Sequence, residues 1–202
     1  METFFASISS VFRSLDWWQI VQAFIFLFAI VDPFGNIPIT ISMQDRGVKI
    51  HAGRVCTASV VIMLAFLFLG EWILKIFGVQ IEYFAIAGGF IVFLMALEMI
   101  LDIVIFKTNI GGEGSIVPLA FPMYAGPGAF TALLSLTAEY STINLVVAVC
   151  IVILLLYIVL KTTNWLTKYI GQTVLYIIRK FFGIIVLAIA VKLMFGNIAL
   201  IF

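Results

Sequence analysis

Charged residues are scarce in this sequence: Asp, Glu, Lys and Arg make up 10% of its 202 residues, against about 25% in a soluble domain. With 64% hydrophobic residues and a mean hydropathy of +1.26, it has too little polar surface to cover a globule in water. The chain is an integral membrane protein. A net charge of +1, with no basic stripe and no aromatic platform, argues against nucleic acid as a partner. Histidine occurs once, as His51 in a basic connection, so a serine-type site within the spans would lack its histidine base. Cys56 and Cys150 fit neither a disulfide framework nor a zinc site by spacing. Both lie in apolar runs, where cysteine acts as a small hydrophobe. No motif calls for a metal or other cofactor. The amino terminus has neither a basic n-region nor a small-residue cleavage site, and so does not read as a cleaved signal peptide. Phe4, Phe5, Ile8, Val11, Phe12 and Leu15 recur at helical spacing. They predict an amphipathic segment over residues 1–16 lying on the membrane surface.

What the sequence does have is long apolar runs. A span needs about 20 such residues, and six are predicted, near 17–43, 55–77, 83–106, 116–138, 143–163 and 177–201. Trp17 and Trp18 stand where an interfacial aromatic belt belongs. A Gly-rich polar connection, 107–115, separates the third span from the fourth. One set of connections carries Arg46, Lys49, Arg54, Lys107, Lys161, Lys168, Arg179 and Lys180; the opposite set carries only Arg13 and Lys75. The basic side is cytoplasmic, which places both termini outside.

Shifting the sequence by 94 positions (127 − 33) brings Pro33 onto Pro127, Cys56 onto Cys150, Gly89 onto Gly183, Asp45 onto Glu139 and Glu98 onto Lys192. Each half then holds three spans, an odd number, so the halves must be inserted upside down relative to each other. The predicted fold is all-α: a single polytopic domain over 1–202, built as inverted 3+3 repeats, 17–106 and 116–201.

The first and fourth spans are broken by helix-disrupting residues. These are Val31-Asp32-Pro33-Phe34-Gly35-Asn36-Ile37-Pro38 and Phe121-Pro122-Met123-Tyr124-Ala125-Gly126-Pro127-Gly128-Ala129. Unwound backbone survives at membrane depth only where it is buried in protein or lines a cavity. Paired interruptions in corresponding halves point to a transporter's binding site. Asn36 is a candidate N-cap, with Pro38 in the first turn of the resumed helix. Free N–H groups at the resumed helices suit a carboxylate, and free carbonyls before the breaks suit an ammonium or small cation. A zwitterion fits such a site. The small residues Ala125, Gly126, Gly128 and Ala129 favour a small one.

Asp32 is the carboxylate deep in a span. It is a candidate to bind an ammonium group, carry a coupling proton or ligate sodium, or else it only accepts hydrogen bonds from the turn beside it. Thr131 either offers its hydroxyl to a substrate or bonds its own helix, the second being the commoner habit. Glu98 and Lys192 differ in depth by roughly 10 Å at 1.5 Å rise per residue, so they are expected to snorkel towards opposite surfaces rather than pair.

At these motifs the chain resembles the MarC family of integral membrane proteins, the SnatA-like small neutral amino acid transporter group. The likeness rests on the first break, on Pro118-Leu119-Ala120-Phe121-Pro122 with Ala125-Gly126-Pro127-Gly128-Ala129, and on Ala87-Gly88-Gly89. Phe130-Thr131-Ala132 departs from the Ile-Thr-Thr often found there. The resemblance implies a multi-pass protein of a bacterial or archaeal plasma membrane whose relatives move glycine, alanine and similar amino acids. The leading expectation is a secondary transporter of that class. It would use Asp32, Pro33, Gly35, Asn36, Ala125, Gly126, Pro127, Gly128, Ala129 and Thr131, with H+ or Na+ as candidate coupling ion at Asp32; homo-oligomerisation is left open. The alternatives are a channel or passive exporter whose breaks form a filter, and a non-transporting assembly protein. An intramembrane aspartyl enzyme would need a second deep carboxylate, so enzymatic activity is not expected.

Overall fold

A computed structural model describes residues 15–45, 47–103, 105, 116–137 and 140–201. The predicted surface segment and the 107–115 connection lie outside this set, apart from Leu15 and Asp16. Every regular element among the described residues is helical: α1 (Trp17–Val31), α2 (Ile37–Asp45), α3 (Ala52–Ile76), α4 (Ile81–Leu101), a π-helical stretch (Ile116–Tyr124), α5 (Pro127–Thr137), α6 (Thr142–Ile170) and α7 (Gln172–Ile201).

Five segments are long and apolar enough to cross a membrane: Ala52–Ile76, Ile81–Leu101, Leu119–Thr137, Thr142–Ile170 and Thr173–Ile198. The predicted first span differs. α1 has 15 residues, about 22 Å at 1.5 Å per residue, short of the ~30 Å hydrocarbon core. It crosses only if α2 continues the path beyond the break. The outer faces carry large exposed apolar side chains, among them Phe68, Trp72, Phe90, Leu154, Ile184 and Phe195. An apolar exterior is what a lipid solvent permits. Trp17 and Trp18 are both exposed, as a membrane-interface belt requires.

Two polar clasps fix how the helices run. At one end Asp16 caps α1, accepting from Trp18 N at 2.8 Å and Gln19 N at 3.3 Å. Gln19 Oε1 accepts from Asn144 Nδ2 at 2.8 Å, and Tyr140 donates to Gln22 at 3.2 Å. The starts of α1 and α6 therefore lie together. The other clasp joins the end of α4 to the start of α7: Lys180 donates to the Ile100 carbonyl and to Asp102, and Tyr176 also donates to Asp102. Asp102 is exposed just past α4, and the bonds from Lys180 and then Tyr176 hold its carboxyl below the usual carboxylate range.

α4 and α7 cross where two glycines let them approach. A Cβ on Gly89 would meet Met194, Leu193 and Ala190; one on Gly183 would meet Ile100, Met99 and Ala96. These contacts require the two helices to run antiparallel. They also correspond residue for residue under the shift of 94 positions, since 96, 99 and 100 map onto 190, 193 and 194. The crossing sets Glu98 level with Gly183 and Lys192 level with Gly89, so the two charges sit at different heights. Cys56 is buried and Cys150 exposed, both as free thiols.

Candidate functional site

The first break is a capped turn. Asp32 ends α1 in the left-handed region (φ 46°, ψ 64°), its N–H bonded to the Phe28 carbonyl at 3.0 Å. Its side chain then starts the next turn: Oδ1 accepts from Gly35 N at 3.0 Å, and its carbonyl accepts from Asn36 N at 3.3 Å. Pro33 occupies the first position of that turn, where a missing N–H costs nothing. Gly35 is required by packing, because a Cβ there would lie 1.8 Å from Asp32 Oδ2.

Asn36 was predicted to cap the resumed helix with its side chain. Only its carbonyl does so, accepting from Thr40 N at 3.0 Å. The side-chain amide turns back and donates to the carbonyls of Val31 (3.3 Å) and Asp32 (3.0 Å). The carbonyls of Val31 and Asp32 are therefore occupied rather than free. Buried carbonyls without water are expensive, and Asn36 is the donor within reach.

The second break is built from backbone. Pro122 interrupts the helical ladder, which widens to a π pattern that closes with Ala125 N on the Ala120 carbonyl at 2.8 Å. Such π segments concentrate at functional sites. Gly126 follows, where a Cβ would fall 1.8 Å from the Pro122 carbonyl oxygen. Pro127 opens α5, and the Gly126 carbonyl accepts from Phe130 N at 3.0 Å. Glycine at the cap offers no side chain to the first N–H groups of α5. Ala125, Gly126, Gly128 and Ala129 are all buried.

The two breaks face one another across a packed seam. Gly128 sits against Ile30, Val92 and Met95. Tyr124 is fully buried and shares its surroundings with Asp32 and Thr40. The Thr40 hydroxyl donates to the Asn36 carbonyl at 3.0 Å, and its oxygen is the neighbouring acceptor for Tyr124 Oη, which makes no well-formed hydrogen bond among the described residues. Thr131 packs on Gly88, and its hydroxyl donates to the Pro127 carbonyl at 2.9 Å. That is the helix-bonded role favoured from sequence.

Beside the first break lies a cavity of about 60 Å³. Its polar lining comes from Asp32, Gly35, Asn36, Glu98 and Arg179, and its apolar wall includes Ile30, Val92, Met95 and Val186. Of the residues singled out in the sequence, Asp32, Gly35 and Asn36 line it. Gly128 stands directly behind the wall, while Pro33, Ala125, Gly126, Pro127, Ala129 and Thr131 are not among the lining residues. Two lining residues were missed. Glu98, expected to snorkel towards one surface rather than pair with Lys192, lines this cavity, and its Oε1 accepts from Ile105 N at 2.6 Å. Asp32 is thus not the only carboxylate here. Arg179 was counted among loop cations, but α7 begins at Gln172, which carries the guanidinium into the site. The legible signal was that Arg179 continues the helical run of the sixth span.

The family model described as "MarC family integral membrane protein" matches residues 17–202. A UPF0056 membrane protein of Methanocaldococcus jannaschii is 32% identical over 200 residues, covering 91% of this chain and 98% of that protein. The Escherichia coli UPF0056 membrane protein YhcE is 32% identical, with 89% and 91% covered. The UPF0056 inner membrane protein YhgN of the same organism is 29% identical, with 89% and 96% covered. No solved structure matches the chain.

Proposed function

This chain belongs to the MarC family of integral membrane proteins, and from that premise we propose that it is a secondary transporter of small neutral amino acids. The observation that carries this reading is the cavity in which a broken helix meets two carboxylates and a guanidinium. A zwitterion needs both signs of charge within a few ångströms, and charges that are wholly or partly buried are costly unless they serve a ligand or one another. The size supports a small substrate. About 60 Å³ is several times the ~10–15 Å³ that one water needs, and far below the ~300–1,000 Å³ of sites for drug-sized molecules.

Alternating access is proposed as rocking of two inverted three-helix repeats about the α4–α7 crossing. The reciprocal glycine contacts there support it, because a pseudo-two-fold axis pairs residue i with j and j with i. Asp32 is the proposed carrier of the coupling ion, H+ or Na+. Both termini are assigned to the extracytoplasmic side, and the protein to the plasma membrane, in line with the inner-membrane name of YhgN.

The test is uptake of labelled glycine or alanine by proteoliposomes under imposed proton or sodium gradients. Saturable flux that responds to one gradient is the expected result. Flux no greater than in empty liposomes under every gradient would overturn the reading. Asp32→Asn is expected to abolish gradient-driven accumulation while leaving exchange of substrate measurable.

A further inference from the structure

We propose that Arg179 is the carboxylate anchor of the cavity, and that Asp32 and Glu98 receive the ammonium end, so that the site demands both ends of an α-amino acid. The proposal rests on the transport reading and deepens it. Three observations lead to it. Arg179 lines the cavity from α7, whereas the two carboxylates enter from the first break and from α4, so the opposite charges stand on different walls. Each carboxylate is already held by a backbone N–H, Asp32 by Gly35 and Glu98 by Ile105. They are therefore fixed acceptors rather than mobile counter-ions. The guanidinium is not held in the same way: its Nε is buried and has no hydrogen-bond partner among the described residues.

A buried unpaired N–H is destabilising, and arginine's planar fork is matched by a carboxylate accepting two parallel bonds, one of them at Nε. Bound carboxylate would satisfy the orphan donor. It would leave the ammonium group on the side of Asp32 and Glu98, with any small side chain against Ile30, Val92 and Val186. An amine lacking the carboxylate would leave Arg179 Nε without a partner. An acid lacking the ammonium would face two carboxylates across the cavity. Selectivity for the zwitterion follows from both penalties together.

The experiment measures binding of labelled glycine to the full-length protein, with methylamine and acetate as competitors. For the wild type, neither competitor at hundredfold excess is expected to displace glycine. Arg179→Gln is expected to weaken glycine binding at least tenfold and to make methylamine an effective competitor; Arg179→Lys should restore part of the affinity. A residue that merely braced the fold would not change which competitor is effective. Because Arg179→Gln risks misfolding, the wild type supplies a second readout. Phenylglyoxal modification of Arg179, followed by mass spectrometry, should be slowed by glycine and not by methylamine. Wild-type binding that survives Arg179→Gln with its selectivity intact, or modification that glycine does not slow, overturns the assignment and leaves the transport reading standing. Failure of the wild type to bind or move glycine or alanine overturns both.

Discussion

The two breaks occupy equivalent places in the sequence, yet they are made in opposite ways. The first is sealed by polar side chains: Asp32 caps the turn over Gly35, and Asn36 returns its amide to two carbonyls. The second is sealed mainly by main chain, with a π turn closing on Ala120 and a glycine lying against the Pro122 carbonyl. Polar side chains that satisfy a turn also give it chemistry, so the cavity forms beside the first break. The second break supplies a close-packed wall, in which Gly128 lets α5 approach Ile30 and Val92. Two interruptions of similar sequence can thus differ in chemistry, the first carrying polar side chains and the second backbone and small residues.

The largest expected effect comes from adding a methyl group where the obstacle is backbone. In Gly126→Ala the new Cβ would fall 1.8 Å from the Pro122 carbonyl oxygen, costing about 3 kcal/mol or more. The loss should appear as a reduced monodisperse fraction in detergent, and no side-chain substitution elsewhere should rescue it. Gly35→Ala makes an equally short contact, but with the Asp32 side chain. It should be destabilising by about 2–3 kcal/mol, and much of that should be recovered in the Asp32→Ala background. If both glycine variants are rescued, or neither is, the contrast between the breaks is wrong.

Asn36→Ala leaves the Val31 and Asp32 carbonyls without their donor and should lower stability by about 1–3 kcal/mol. Asn36→Asp should do worse, because it points an acceptor at two acceptors. Thermal unfolding of the pair gives the order. Two small effects complete the comparison. Thr131→Val removes a hydroxyl bonded within its own helix, so it should change stability by less than about 1 kcal/mol and leave transport kinetics unchanged. Tyr124→Phe removes a buried hydroxyl that makes no well-formed hydrogen bond among the described residues and should be neutral or slightly stabilising. A clear loss in either variant would reveal a partner for that hydroxyl that the structure does not hold.

The positions of the breaks and five of the six predicted spans were legible in the sequence, because each leaves a local signature. Proline and glycine punctuate a helix wherever they occur, and a span announces itself by length. What each break does with its backbone was less legible. Asn36 has an N-cap's position and yet donates backwards, because the carbonyls of a terminated helix in an apolar interior need a donor more than the next helix needs an acceptor. The cavity-lining positions of Glu98 and Arg179 were not legible for a common reason. Sequence gives the depth of a charge along its own helix, but not the direction it faces, which here depends on the crossing of α4 with α7.

By itself the sequence determined that this chain resides in lipid, that it is helical, and that two of its helices are interrupted. Composition and helix-breaking residues act through neighbours a few positions away. Only the tertiary structure decided which break carries a cavity and which charges share it, because those groups are brought together by packing between α1, α4 and α7 across long stretches of chain.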